Sequence, residues 1–535
     1  MFGLTLHSRF SVFTLAVLLL TPFLFLLGLA AISFFEDRGT LIHLVSTSLP
    51  SILLQTVLLC MGVILLTSTM GVLTAWWVCA YEFIGRRYLE WLLLLPMAMP
   101  SYVIAYAYTD ALQYSGWVAT LIRQLLPAEL NWPDIRSTGG AVLVLSFVLY
   151  PYVYIMARTA FLNRSPSMLD AARSLGHGPI SAFLRIGLLT ARPAWVVGLA
   201  LVIMETLAEY GALSYFGVQT FTTAIYKSWL NLGDRQAAIL LSVILLAFML
   251  ILIVIESNAR GRAQYYSQNN PSRHNVRKVL QGQHAAFIFV LTSLPLLLGF
   301  ILPVLFLLVL LAGVDFPLSV SRSLTWAWHS GVLGVIAATV SLCLAIFLSY
   351  VKRQSISHFV KAVHRIVSLG YGVPGAILTI GILLPLSRFD QLIYQLGWVW
   401  FPALTGSVYA LIYAYNVRFT SAAIQSVDAG LQQITRHIDE SARVLGRSAR
   451  QVLLHVHLPI LKSSLATGFL LVIVDVVKEL PVTLVLRPFD FDTLAVSAYQ
   501  FALDERLGEA ALPALLIVLV ALIPIVLLIR QDKIN

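Results

Sequence analysis

Charge is what this sequence has least of. Asp, Glu, Lys and Arg make up 11% of its 535 residues, against roughly 25% in soluble domains. So few charged groups exclude an ordinary water-soluble chain. Cysteine is also scarce. Cys60, Cys79 and Cys343 lie in apolar stretches at no metal-ligand spacing, which excludes a disulfide framework and leaves them as small apolar fillers. No Gly-x-x-x-x-Gly-Lys-Ser/Thr phosphate loop occurs, so an energy source of that kind must lie outside the chain. No Ser-His-Asp, Cys-His or zinc constellation stands out either.

Apolar residues fill the chain instead, at 59%. A bilayer-spanning helix needs about 20 of them in succession. Spans are expected at 11–34, 50–79, 89–112, 140–162, 195–216, 236–256, 286–312, 328–350, 363–387, 403–424, 461–485 and 509–529. The first follows His7 and Arg9 like a secretory signal, but at about 24 residues it exceeds the 7–15 of a signal core, so it reads as an uncleaved helix. The net charge of +10 is spread through short segments between spans, which argues for a topology signal and against nucleic acid. Most Lys and Arg fall on the side of the N-terminus, placing both termini in the cytoplasm. Lys478 is the one basic residue that this count leaves inside a span.

The chain also repeats itself. A displacement of 270 lays residues 169–216 over 439–486 without a gap, and eleven of the 48 positions are identical. They include Ala172/Ala442, Arg173/Arg443, Gly176/Gly446, Gly198/Gly468 and Glu209/Glu479, while Asp170/Glu440 and Glu205/Asp475 keep their charge. Apolar composition alone would align Leu and Val, but not Arg, Gly and three acidic positions. The repeat is parallel, with its axis along the membrane normal. The expected fold is an all-α integral membrane protein of about twelve transmembrane helices in two tandem six-helix halves. These are residues 1–256 (core about 50–256) and 286–535 (core about 328–529), joined by a cytoplasmic linker at 257–285.

Two long cytoplasmic segments, 163–194 and 425–460, read as helical. Ser165 suits a cap, Pro166 the first helical position and Asp170 the positive helix end. Leu169, Ala172 and Leu175 form an apolar stripe before Gly176; Ile438, Ala442 and Leu445 repeat it before Gly446. Such a stripe suits docking into a groove on a cytoplasmic partner, lying on the membrane surface or packing within its own loop. Two copies at matching positions favour docking.

These residues carry a resemblance. Asp170-Ala171-Ala172 with Gly176, and Glu440-Ser441-Ala442 with Gly446, resemble the Glu-Ala-Ala…Gly coupling loop of binding-protein-dependent ABC importer permeases. The second copy has the Leu458-Pro459 of that motif; the first has Leu188-Leu189 there and Asp in place of Glu. Pro96-Met97-Ala98-Met99-Pro100-Ser101 and Gly370-Tyr371-Gly372-Val373-Pro374-Gly375 resemble the third span of each half in fused iron(III) permeases. So does Lys478-Glu479-Leu480-Pro481, running on through Arg487-Pro488 to Phe491-Asp492-Thr493-Leu494-Ala495. The likeness covers nearly the whole chain and is weakest in the first span and the linker.

The resemblance implies a non-enzymatic transport subunit of the bacterial inner membrane, without an ATPase site or cofactor of its own. Two copies of a separate ATPase would use ATP and Mg, drag the coupling helices and switch the halves from inward-open to outward-open. A periplasmic or lipid-anchored binding protein would deliver the solute, with iron(III) the implied cargo.

Four acids, Glu205, Glu209, Asp475 and Glu479, fall inside spans, paired four residues apart. A charge at the membrane centre costs roughly 2.5–3.5 kcal/mol, so they should face the bundle interior or water. They line a path for a hard cation, or they serve structure by bonding broken helices or Lys478. A path must release its cargo, so no stably bound metal is expected. Pro96, Pro100 and Pro374 interrupt the third spans, as gates or as packing kinks. The alternatives are an importer of thiamine or another small organic cation, an ion-coupled secondary transporter, and a membrane scaffold. The coupling helices argue against the second; the duplication and buried acids argue against the third.

Overall fold

In lipid, every backbone donor and acceptor must be satisfied within its own segment, so apolar runs of this length become helices. The computed structural model describes residues 6–36, 38–125, 134–162, 178, 181, 183–267, 277–313, 316–368, 370–398, 400 and 402–532. The first half comprises α1 (Leu6–Glu36), α2 (Arg38–Thr47), α3 (Leu49–Ala80), α4 (Arg86–Leu92), α5 (Ser101–Leu112), α6 (Trp117–Leu125), α7 (Thr138–Leu162), α8 (Leu188–Ala208), α9 (Gly211–Tyr215), α10 (Phe221–Tyr226) and α11 (Arg235–Ser267). The second comprises α12 (Gly282–Leu296), α13 (Leu302–Ala312), α14 (Phe316–Gln354), α15 (His358–Val367), α16 (Gly375–Gln395), α17 (Val408–Gln433), α18 (Arg436–Val444), α19 (Lys462–Lys478), α20 (Pro481–Leu486), α21 (Leu494–Leu503) and α22 (Leu507–Asp532). Both halves are all-α. The only strand pairing among the described residues is a two-residue parallel contact that ties Lys278–Val279 of the linker to Tyr81–Glu82.

Among the described residues, nine helices are long and apolar enough to cross a membrane, and two sharply bent helix pairs raise the number to eleven. The twelfth crossing is α17. Its composition is too polar to pass as a span, with Asn416, Arg418, Thr420 and Ser421 in sequence. Asn416, Thr420 and Ser421 are buried within protein, so lipid never meets them. Ser341 on α14 donates to Asn416 Oδ1 at 2.9 Å, a polar bond between packed membrane helices.

Four of the expected spans are broken, among them the third of the second half, which stops at Val367 and restarts at Gly375. The third of the first half divides at Leu95–Ala98 and bends by 91° into α5. The fifth of each half stops at Glu209 or Glu479 and restarts as a short helix, α9 or α20. The linker expectation also shifts, because α11 runs on to Ser267 as helix.

The first helices change partners between halves. Helix α1 packs on α15 and α16, while α12 packs on α3 and α13 on α5. Tyr413 donates to the Leu18 carbonyl and Tyr108 to the Leu298 carbonyl, both at 2.6 Å. Close approach is what glycines at these contacts provide. A Cβ on Gly381 would sit 2.6 Å from the Pro22 oxygen, and one on Gly299 2.6 Å from the Phe147 oxygen.

Candidate functional site

The two broken fifth spans meet at the centre of the molecule. Backbone donors at the start of a helix lack partners within it, and each break answers that need with a glutamate. Glu209 accepts from the Ala212 amide at 2.8 Å and from the Ser101 hydroxyl at 2.5 Å. Glu479 accepts from the amides of Val482 and Thr483 at 3.1 and 3.0 Å and from the Thr483 hydroxyl at 2.7 Å. Ala212 and Val482 are equivalent under the 270-residue displacement, so the cap itself is duplicated.

The halves differ in the second partner. Where Ser101 begins α5, Gly375 begins α16, and a Cβ there would stand 3.2 Å from Glu479 Oε1. In that half the Arg418 guanidinium reaches Glu479 instead, at 2.9 Å. Arg418 is not among the residues expected at the site; the structure places it against Glu479. It lies inside the expected span 403–424, so the cost rule that singles out the four acids would have found it too.

Between the breaks lies a chamber of about 150 Å³. All four predicted acids line it, together with Arg418, Lys478, Ser101 and Tyr102. Lys478 donates to the Met97 carbonyl of the first half at 3.3 Å. Glu205 and Asp475 are half-buried, and no hydrogen bond to either is found among the described residues. The acids therefore divide: Glu209 and Glu479 are held by the breaks, whereas Glu205 and Asp475 present free carboxylates to the chamber. The basic pair comes from one half only, since the positions equivalent to Arg418 and Lys478 are Val148 and Ala208. No group of three His, Cys, Asp or Glu side chains that could hold a metal ion is found among the described residues.

Of the two coupling segments, Asp170, Ala171, Ala172 and Gly176 lie outside the described residues. In the second, α18 carries Glu440, Ser441 and Ala442. It ends at Gly446, whose φ of +76° favours glycine, with the Gly446 amide bonding Arg443 O and Arg447 bonding Ala442 O. The expected apolar stripe is split. Ala442 is buried, whereas Val444 and Leu445 are 88% and 80% exposed. Glu440 is exposed and contacts His437 at 3.2 Å.

A buried acid that the sequence reading left out of the site anchors this helix. Asp439 receives Arg353 from α14 at 2.8 Å and His457 Nε2 at 2.5 Å. Burial lowers the His457 imidazole below its usual range, against the pull of Asp439, and its Nε2 faces the carboxylate. Arg353 also donates to the carbonyls of Leu431 and Ile434 at 2.6 and 2.8 Å, closing the end of α17. Arg353 on α14 thus ties α18 to the end of α17, the helix that carries Arg418 to Glu479. In each half, α7 and α17 hold equivalent bridges of opposite polarity: Arg158 meets Glu90, and Asp428 meets Lys352 at 2.7 Å and His364 at 3.4 Å.

Known proteins give the same picture. The family described as the inner membrane component of binding-protein-dependent transport systems matches twice, at 68–259 and 341–534. The Fe(3+)-transport system permease protein FbpB 2 of Haemophilus influenzae is 24% identical over 481 residues, covering 89% of each chain. The molybdenum transport system permease protein ModB of Escherichia coli is 27% identical over 201 residues, 36% of this chain and 85% of that one. A probable sulfate transport system permease protein of Nephroselmis olivacea is 31% identical over 149 residues, 28% of this chain and 51% of that one. Two matched halves and two capped breaks around one chamber agree: this chain is a multi-pass membrane protein of the binding-protein-dependent ABC importer permease family.

Proposed function

We propose that this chain is the permease of an iron(III) importer in the bacterial cytoplasmic membrane, with both termini cytoplasmic. The family implies an ATPase and a solute-binding protein as partners. In this reading the ATPase is present in two copies, one per coupling segment, and the binding protein is periplasmic or lipid-anchored. Family membership leaves the ion-coupled secondary transporter without support.

The observation that carries the iron reading is the chamber, where four carboxylates outnumber two bases. A hard trivalent cation favours oxygen ligands. Glu205 and Asp475, which bond to no described residue, are the groups left to meet it. Two loosely held carboxylates suit a site that must also release its cargo. The relative that spans both halves is named for Fe(3+), while the molybdenum and sulfate relatives match about a third of this chain. When the ATPases close, they would move α18; Arg353 passes that motion to α17, and Arg418 brings it to the break at Glu479.

Arg418 and Lys478 favour a second reading, an oxyanion importer like those for which the shorter relatives are named. Cells carrying the complete transporter should take up radioactive iron(III) in preference to labelled sulfate, molybdate or thiamine. Vanadate should abolish that uptake. Uptake of labelled sulfate or molybdate without iron would replace the cation reading, and uptake of thiamine would point to an organic cation.

A further inference from the structure

The chamber has a larger neighbour. A cavity of about 450 Å³ lies between the start of α3, at Ser48 and Ile52, and the segment from Gly217 to Asp234. Helices α3 and α14 are equivalent, and it is the far end of α14 that holds α18 through Arg353. The larger cavity therefore opens on the side away from the coupling helix. Among the described residues, Tyr210 is the one that lines both spaces.

Tyr210 directly follows the Glu209 cap and is held from both halves. Its ring lies 4.3 Å from Tyr226 and 6.0 Å from Tyr499 of the second half. Those rings are pinned across the seam, because Tyr226 donates to the Pro481 carbonyl at 2.7 Å and Tyr499 to the Ser214 hydroxyl at 3.0 Å. Beside Tyr210 the two breaks are pressed together. A Cβ on Gly211 would meet Leu480 and Tyr102, each at 2.8 Å. The residue equivalent to Tyr210 is Leu480, which is 1% exposed. It lines the chamber but not the outer cavity.

We propose that solute passes from the outer cavity into the chamber at Tyr210, and that the Tyr210 ring, braced by Tyr226 and Tyr499, is the barrier between them in this state. Opening toward the outer side withdraws this ring. The break next to it makes that movement available, since Tyr210 belongs to neither flanking helix. The inference rests on the permease assignment and not on the identity of the cargo.

The test uses the full transporter with its ATPase, with Cys60, Cys79 and Cys343 replaced by Ser and Met97→Cys placed in the chamber wall. A membrane-impermeant cationic thiol reagent is added from the outer side without ATP. With Tyr210 intact, labelling should be slow. Tyr210→Ala should raise its rate about tenfold or more, by shifting the barrier toward its open state, and Tyr210→Phe should leave it unchanged. If Tyr210→Ala does not assemble, Tyr210→Leu, which takes the residue found at the equivalent position, and Tyr499→Ala, which removes a brace, should each raise the rate. Fast labelling with Tyr210 intact, or an unchanged rate in the assembled Tyr210 and Tyr499 variants, would overturn the proposal. Because the readout is thiol reaction, it stands or falls independently of iron uptake.

Discussion

A carboxylate at a helix break does two things at once: it satisfies amides that have no partner, and it holds a negative charge beside the positive end of a helix. Glu209 and Glu479 both work this way, but they are not interchangeable. Glu479→Gln also leaves the Arg418 guanidinium without its buried counter-charge. Losing one partner of such a pair costs about 3–5 kcal/mol when it is fully buried. Glu209→Gln loses a neutral hydroxyl and an amide bond, about 1–3 kcal/mol. Thermal unfolding in detergent should therefore drop further for Glu479→Gln than for Glu209→Gln. Glu205→Gln with Asp475→Asn gives the opposite pattern. No described hydrogen bond is lost, so the melting temperature should stay near that of the parent while uptake falls. Normal uptake in that double variant would remove both acids from the path. The charge rule made all four acids legible in the sequence. Their division into caps and free carboxylates was not legible, because it depends on where the helices break.

The helix α18 shows why a periodic stripe is incomplete evidence for a docking face. Ile438, Ala442 and Leu445 fall on one side by spacing, but Asp439 decides the orientation. Its bonds to Arg353 and His457 turn the neighbouring Ala442 toward the protein and leave Val444 and Leu445 at the tip. Leu445→Asp should weaken copurification of the ATPase while the permease stays folded, since this side chain is 80% exposed. Asp439→Asn keeps the shape but removes the charge that Arg353 faces. It should uncouple the subunits: the ATPase should still copurify, but its rate should no longer respond to the loaded binding protein. A normal response would show that Asp439 only shapes the loop. Both Gly446 and the apolar tip could be read in the sequence. The Arg353 clamp could not, because it joins residues some 80 positions apart that meet only when α14 and α17 pack.

The exchange of first helices makes each half depend on the other. With α1 against α15 and α16, and α12 and α13 against α3 and α5, neither half buries its own partner surface alone. Two fragments, 1–267 and 277–535, should therefore copurify and restore uptake when made together. Each should be degraded when made singly, as detected by immunoblot of the membrane fraction. Equal stability of one fragment made alone would show that the exchange contributes little. By itself the sequence determined the class, the twelve crossings, the duplication and the positions of the buried acids, because lipid imposes the same length and charge limits on every segment. Tertiary structure alone decided that α1 crosses to the other half, that Arg418 meets Glu479 and that Tyr210 stands between two cavities. Each of these joins groups far apart in the chain, and local periodicity holds no record of such meetings.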